Sequence, residues 1–189
     1  MPTEASLPQR IVIHGCSGSG KSTLARQLGQ RAGLPVIELD ALFHQPGWTE
    51  LPVAEFQDRV TAALAAAERT TGGWIVDGNY DSALDGLVRR RATLVLWFDL
   101  PRVRVMARMV RRTLTRTLTH AELWNGNRER WRDVLAWDPK RSIIRWAWTR
   151  HHVYRDRLRS ASLDHPRDQR WIRIGNQRDV GRVLSEFPC

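Results

Sequence analysis

Five short apolar runs, separated by segments with helical periodicity, organise this chain of 189 residues. Apolar runs of this length, bounded by turn residues, are typical of strands buried on both faces of a parallel sheet. Alternating strands and helices predict one three-layer α/β domain over residues 1–189, with its ligand at the carboxyl ends of the strands. The predicted strands are Ile11–His14, Val36–Leu39, Trp74–Val76, Leu94–Phe98 and Trp171–Ile174.

The helices between these runs are predicted from apolar stripes and from residues that start or stop a helix. One helix, from Pro52 to Arg69, carries a stripe that we expect in the core, namely Val53, Phe56, Val60 and Leu64. The others are expected from the glycine loop to near Gly33, from Pro101 onward, from Asp138-Pro139 to about Arg159, and after Arg178.

A glycine loop after the first apolar run carries the most specific chemistry in the chain. The segment Gly15-Cys16-Ser17-Gly18-Ser19-Gly20-Lys21-Ser22 matches G-x-x-x-x-G-K-[ST] in full, and a helical pattern begins at Thr23. Such a loop and helix N-terminus form a phosphate cradle of backbone N–H groups. We expect Lys21 to reach the β- and γ-phosphates of ATP and the Ser22 hydroxyl to bind Mg²⁺. Residues 15–23 are therefore predicted to bind the nucleotide.

Lysine usage supports this prediction. All but two of the 30 basic residues are arginines, and the two lysines are Lys21 and Lys140. A compact ammonium fits between phosphates better than a planar guanidinium does. One of the two lysines in the chain thus lies at the position where the phosphate site needs an ammonium group.

The net charge of +10 is unevenly distributed along the chain. Residues 89–159 contain 18 Arg and one Lys against six acidic residues. Such a block can bind phosphates, contact nucleic acid or form a solvated helix surface. The apolar runs are too short to span a bilayer. Cys16 and Cys189 form no metal or disulfide framework, so we expect a reducing cytoplasm, with Cys16 a small loop residue rather than a nucleophile.

Two carboxylates follow predicted strands at the same edge as the glycine loop. Asp40 ends the second strand and could hold an acceptor hydroxyl and take its proton. Asp77 ends the third strand, where a carboxylate beside a phosphate loop binds Mg²⁺ directly or through water. Asn79 and Tyr80 are weaker candidates for acceptor contacts. His44 is also near the acceptor side, although a surface position is the simpler expectation for it.

The arginines after Pro101 suggest a mobile lid over residues 108–135. On a helix, Arg104, Arg108 and either Arg111 or Arg112 share one face. A Gly-containing link at 124–130 follows, so two helices could fold over the γ-phosphate. Arginines that arrive on closure would stabilise charge on the transferring group. We assign this catalytic role to Arg108 and Arg112.

A set of short motifs accompanies the glycine loop: Leu39-Asp40, Pro46-Gly47-Trp48, Asp77-Gly78-Asn79-Tyr80, Asp99-Leu100-Pro101 and Arg111-Arg112. Together they resemble adenylate-kinase-like P-loop proteins, in particular the subgroup often labelled DNA topology modulation proteins. The resemblance covers nearly the whole chain and implies the nucleoside monophosphate kinase fold, a five-stranded parallel sheet in the order 2-3-1-4-5 with a helical lid. It also implies ATP and Mg²⁺, with adenine held near Gln177.

One departure from the adenylate kinases bears on the acceptor. Those enzymes have an Asp-Gly-Phe-Pro-Arg segment where this chain has Asp77-Gly78-Asn79-Tyr80, so an arginine that would bind a nucleoside monophosphate is missing. Asp40 instead resembles the strand-two Asp of shikimate- and gluconate-type kinases. We therefore predict a kinase that transfers phosphate from Mg-ATP to a small-molecule hydroxyl, within an acceptor segment at about 40–72. The alternatives are a nucleoside monophosphate kinase and an ATP-switched nucleic-acid-binding protein.

Overall fold

The computed structural model describes residues 9–128 and 143–187, and a five-stranded parallel sheet forms its centre. Numbered in chain order, the strands lie in the spatial order 2-3-1-4-5, which confirms the predicted sheet. The strands are β1 (Arg10–His14), β2 (Val36–Glu38), β3 (Trp74–Asp77), β4 (Leu94–Phe98) and β5 (Arg170–Ile174).

Helices follow the strands on both faces of the sheet. A short antiparallel hairpin, His44–Gln45 with Thr49–Glu50, encloses a 3₁₀ turn at Pro46–Trp48. The helices are α1 (Lys21–Ala32), α2 (Leu39–Phe43), α3 (Val53–Thr71), α4 (Leu87–Arg91), α5 (Arg102–Leu118), α6 (Ile143–Ala161) and α7 (Gln177–Ser185).

Alternate residues of the strands supply two separate apolar layers, as expected for a sheet covered on both faces. Ile11 and Ile13 of β1 pack into one layer with residues of α1 and α7, such as Leu24 and Val183. Val12 points to the other face, where it joins a layer that includes residues of α3. The predicted three-layer architecture is confirmed.

The register of the strands brings polar residues to one edge. Ile13 of β1 and Glu38 of β2 both lie level with Asp77, the last residue of β3. The glycine loop leaves β1 just beyond this level. The carboxyl ends of β1, β2 and β3 thus form the edge at which a ligand was predicted.

Some predicted boundaries and environments were wrong. Leu39 and Asp40 belong to α2 rather than to the end of β2, and Val53 is exposed although it begins the predicted core stripe. The last helix begins at Gln177, before Arg178. The predicted helix start at Asp138-Pro139 lies outside the described residues. In the described part of the chain, helices fall short of the length and apolar character that a membrane span requires.

Candidate active site

The glycine loop lies between the end of β1 and the first turn of α1. Gly20 adopts a left-handed conformation at the N-terminus of α1, and Lys21 begins the helix. The backbone N–H of Ser19 donates to the carbonyl of Cys16 at 3.0 Å, which closes the loop on itself. A loop of this shape at a helix N-terminus presents backbone N–H groups to an anion. Its geometry therefore suits a chain of phosphates.

Gly15 occupies a position that no larger residue could take. Its φ is +151°, and a Cβ there would lie 2.7 Å from Cβ of Phe98 and 2.9 Å from Oγ of Ser19. The side chain of Asn79 binds the same residue from the other side: its Oδ1 accepts from the Gly15 N–H at 3.1 Å and its Nδ2 donates to the Gly15 carbonyl at 2.6 Å. Asn79, a weaker candidate for an acceptor contact, thus contacts the phosphate loop.

Lys21, Ser22 and Asp77 form the charged centre of the loop. Asp77 is buried, with 7% of its surface exposed. Burial raises the pKa of the Asp77 carboxyl, while the nearby Lys21 ammonium and a hydrogen bond with Ser22 favour its ionised form. Its Oδ1 is buried and has no hydrogen-bond partner among the described residues. A buried carboxylate oxygen beside a hydroxyl and an ammonium is a place where a further cation or water fits.

These residues fit Mg²⁺ held together with ATP rather than a metal held by protein alone. Within residues 9–128 and 143–187 there is no group of three His, Cys, Asp or Glu side chains that could hold a metal. Mg²⁺ commonly binds one or two protein oxygens and completes its shell with phosphates and water. Ser22 Oγ and the orphan oxygen of Asp77 are suitable donors for that arrangement.

Two arginines of α5 reach the phosphate loop. Arg112 Nη2 donates to Oγ of Ser17 at 2.7 Å, and Arg108 Nη1 donates to the carbonyl of Ser19 at 3.4 Å. Arg104 is exposed, and Arg111 borders an apolar groove with Val103. Arg108 and Arg112 therefore face the loop, whereas Arg111 does not share their contact.

The first part of the predicted lid is helical, as expected from Pro101 onward. Residues 108–118 belong to one continuous helix, α5, which packs Val105 and Met109 into the core. After α5 the chain forms a loop with a 3₁₀ turn at Trp124–Gly126 rather than a helix. Residues 129–135 of the predicted lid lie outside the described residues.

Asp40 lies in α2, two residues beyond the end of β2 at Glu38. Tyr80 donates its hydroxyl to Asp40 Oδ1 at 2.7 Å. Burial strongly raises the pKa of the Tyr80 phenol, and the charge of Asp40 and its hydrogen bond raise it further. Tyr80 consequently stays a hydrogen-bond donor and fixes one carboxylate oxygen, so the other oxygen can face an acceptor.

His44 is half-buried, so the expectation of a surface histidine was wrong. Its Nε2 lies 3.3 Å from the hydroxyl of Tyr80, and its buried Nδ1 has no partner among the described residues. Rings surround this group: Phe43 lies against Tyr80 with centroids 4.9 Å apart, and Trp48 lies edge-on to His44 at 5.4 Å. On the acceptor side, the polar groups of Tyr80 and His44 thus lie among aromatic rings.

Residues 123–128 form a strap that binds the acceptor segment, and these contacts were not predicted from the sequence. Asn127 Nδ2 donates to the carbonyl of Gln45 at 3.0 Å, and its Oδ1 accepts from the backbone N–H of Trp48 at 2.9 Å. Asn125 Nδ2 donates to the carbonyls of Ala41 and His44. Asparagines in a predicted link were the available signal, but their partners are some 80 residues away in sequence.

Trp124 also belongs to the strap. Its indole N–H donates to Glu38 Oε2 at 2.7 Å, at the end of β2. Because α5 carries Arg108 and Arg112 and the strap follows α5, one stretch of chain contacts both the phosphate loop and the acceptor segment.

The remaining predicted nucleotide contacts lie in the first turns of two helices. Thr23 is exposed in the first turn of α1, and Gln177 is exposed as the first residue of α7, after the Asn176 cap. Their contacts with a nucleotide stay predictions. Cys16 is buried, and burial raises the pKa of its thiol, which disfavours a nucleophilic role.

His151 is buried and lies 3.2 Å from the carbonyl of Leu100 through its Nε2. Its neighbour His152 is exposed. Trp148 is 52% exposed, and Arg102 lies over its ring.

Comparisons with known proteins agree with this fold. A family model described as an AAA domain matches residues 11–162. A sugar kinase from Janibacter sp. HTCC2649 superposes with a TM-score of 0.50 and 16% identity, over 94% of this chain and 92% of that chain. A shikimate kinase from Bacteroides thetaiotaomicron gives a TM-score of 0.51 and 12% identity, over 95% of both chains. A search of curated proteins found no matching sequence.

Proposed function

We propose that this chain, which belongs to the AAA domain family, is a phosphotransferase that moves the γ-phosphate of ATP to a hydroxyl group of a small molecule. One observation carries the proposal: residues 77–80 contact both the phosphate loop and Asp40 of the acceptor segment. Asn79 binds the phosphate loop at Gly15, and Tyr80 binds Asp40. A carboxylate that can take a proton is therefore tied to the phosphate loop through two consecutive residues, Asn79 and Tyr80.

In the proposed reaction, Asp40 accepts the proton of the acceptor hydroxyl as its oxygen attacks the γ-phosphorus. The bond between the γ-phosphorus and the β–γ bridging oxygen breaks, and ADP leaves with that electron pair. Asp40 then releases the proton to solvent. Tyr80 keeps the carboxylate oriented throughout, because its hydroxyl holds one of the two oxygens.

The phosphate loop supplies the electrostatic part of the reaction. Lys21 would neutralise the β- and γ-phosphates, and backbone N–H groups of residues 15–22 would hold them in place. Mg²⁺, with Ser22 and Asp77 as its protein neighbours, would supply further positive charge when bound. Arg108 and Arg112, which contact the loop, would stabilise charge on the transferring group.

A hydroxyl acceptor is favoured over a nucleoside monophosphate by the charges near the site. Between residues 40 and 80 the basic residues are Arg59 and Arg69. Arg59 donates to Glu55 at 2.7 Å and to Gln45 at 3.4 Å, so it is already paired. A second phosphate would find little compensation there. The basic block at 89–159 is likewise partly neutralised, as in the ion pair of Arg89 with Asp81.

The proposal is tested by Asp40→Asn, with Asp58→Asn as the matched control, because Asp58 is exposed on α3. ADP release is measured against a panel of alcohols, sugars, nucleosides and nucleoside monophosphates, and Mg-ATP binding is measured by calorimetry. We expect Asp40→Asn to lose at least about 100-fold in acceptor turnover while Mg-ATP binding is kept. Wild-type protein that binds Mg-ATP but phosphorylates only water would contradict the proposal.

A further inference from the structure

His44, at the start of the hairpin, is linked through Tyr80 to the carboxylate that the proposed function uses. The Tyr80 hydroxyl lies 2.7 Å from Asp40 Oδ1 and 3.3 Å from His44 Nε2. Asp40 is in α2, Tyr80 follows β3 and His44 begins the hairpin, so three separate elements supply this chain of polar groups. The proposed reaction involves Asp40 and Tyr80 but gives His44 no part.

The direction of these two hydrogen bonds follows from the protons that the groups carry. A phenol has one proton to donate, and a carboxylate can only accept. The bond to Asp40 is the shorter of the two and is assisted by charge, so the Tyr80 proton lies on that side. The Tyr80 oxygen then presents a lone pair to His44, and Nε2 must carry a hydrogen. His44 therefore donates to Tyr80, and Tyr80 donates to Asp40.

Neighbouring residues hold the imidazole ring of His44 in place. Phe43 and Trp48 lie edge-on to it, with ring centroids 5.1 Å and 5.4 Å away, and its Nδ1 is buried. Asn125 of the strap donates to the backbone carbonyl of His44. A ring packed in this way keeps Nε2 directed at Tyr80. A hydroxyl that accepts one hydrogen bond also donates a stronger one, so the contact reinforces the bond to Asp40.

We propose that His44 is a positioning residue for phosphotransfer: its Nε2–H holds the Tyr80 hydroxyl in the orientation that fixes Asp40 Oδ1, which leaves the second carboxylate oxygen to accept the proton of the alcohol. This inference rests on the proposed function and adds a residue to its mechanism. The Nε2 hydrogen stays on His44 throughout the reaction. Without His44, the Tyr80 hydroxyl could turn away from Asp40, and the carboxylate would lose part of its orientation while the phosphate loop is unchanged.

The first test compares two replacements of His44. Glutamine can place an amide N–H near the position of Nε2, whereas leucine offers no donor. ADP release from Mg-ATP is measured with glycerol, ribose, glucose and inositol, and the alcohol that wild type phosphorylates fastest is kept for the variants. We expect His44→Leu to lower kcat about fivefold, with KM for ATP within about twofold of wild type, and His44→Gln to keep about half of wild-type kcat or more. His152→Leu, at an exposed histidine of α6, is the matched control and should change neither value.

A double-mutant cycle separates positioning from a merely structural role. Tyr80→Phe removes the hydroxyl through which His44 acts and should lower kcat about tenfold. In that background His44→Leu should cost less than about twofold more, because the hydrogen bond that it removes no longer exists. A residue that only supported the hairpin would show the same loss in both backgrounds. Urea unfolding checks that each variant is folded under the assay conditions.

A third measurement needs no acceptor. The imidazole ¹⁵N signals of the full chain, with those of His44 assigned by their absence in His44→Gln, should show a hydrogen on Nε2 at about pH 8, above the usual histidine range. The inference is overturned if Nε2 carries no hydrogen, if His44→Gln and His44→Leu behave alike, or if His44→Leu costs as much in Tyr80→Phe as in wild type; none of these results contradicts phosphotransfer. If wild type binds Mg-ATP but phosphorylates no alcohol, the proposed function fails and the inference fails with it.

Discussion

The phosphate loop and the acceptor segment meet at one edge of the sheet but are built in different ways. The loop is mostly local: Ser19 bonds Cys16, Leu24 bonds Gly20, and the shape comes from consecutive backbone angles. The acceptor side depends on side chains from distant parts of the chain, such as Tyr80 on Asp40 and Asn127 on Gln45. A local backbone shape leaves a motif in the sequence, whereas a set of distant side-chain contacts does not.

The largest effect is expected at Lys21, which lies in the local region. Lys21→Met should weaken Mg-ATP binding at least about 100-fold, because a charge-assisted contact to the phosphates is lost. Lys21→Arg should also bind poorly, since a planar guanidinium does not fit the compact ammonium position. Calorimetry gives both values. Binding within threefold of wild type in Lys21→Met would show that the backbone loop alone holds the nucleotide.

A glycine that joins the two regions should produce the largest loss of stability. Gly78 has φ +155°, and an added Cβ would lie 2.8 Å from Cβ of Leu39, which is buried in the core. Gly78→Ala should cost about 2–3 kcal/mol of unfolding free energy, because backbone strain adds to the clash. Gly181→Ala is the matched control: nothing lies within 4 Å of its added Cβ, and it is in helix α7, so stability should rise by up to about 1 kcal/mol.

Chemical denaturation measures both glycine variants. Equal free energies of unfolding for Gly78→Ala and wild type would mean that Leu39 moves away freely, and the two regions would then be less rigidly joined than the contacts indicate.

The strap provides a test of the distant contacts. Asn127→Ala removes two hydrogen bonds to the hairpin from a residue that is only 3% exposed, and should cost about 1–2 kcal/mol. Amide hydrogen exchange should speed up at residues 44–50. Asn176→Ala, which removes the cap of α7, should cost about 1 kcal/mol without affecting that exchange. Identical exchange in the two variants would show that the strap does not hold the acceptor segment.

The sequence predicted the features that depend on local order. The five strands, their spatial order and the end of α1 at Gly33 could be predicted, because buried runs and a left-handed glycine leave clear signals. The environments of His44 and His151 could not be predicted, since each depends on a partner far along the chain, Tyr80 and Leu100 respectively.

The residues of the candidate site likewise fall into those that the sequence predicts and those that it does not. Residues 15–22 were found from their spacing, and the placement of Asp77 at a strand end followed from the apolar run before it. The contact of Asn79 with Gly15 was not predicted, because nothing local shows that its amide binds this glycine. The strap was missed because its asparagines bind backbone carbonyls, and a sequence does not show which carbonyls lack partners.

His14 links the two regions and gives the smallest effect, which depends on pH. It is the last residue of β1, and its Nδ1–H donates to the carbonyl of Gly78 at 3.1 Å. Burial lowers the pKa of His14 from 6.5, despite opposition from Asp81, so the folded protein holds it neutral. The unfolded chain takes up a proton below about pH 6.5, and stability is therefore lost as the pH falls through that value.

His14→Asn keeps an N–H donor for Gly78 but cannot titrate in this range. Between pH 6.5 and 5.5 the wild type should lose at most about 1 kcal/mol more than the variant, measured by urea unfolding at each pH. Above pH 7.5 the two pH dependences should run parallel. If the wild type instead gained stability relative to the variant on acidification, the folded state would hold His14 charged. The charge of Asp81, rather than burial, would then determine the protonation state of His14.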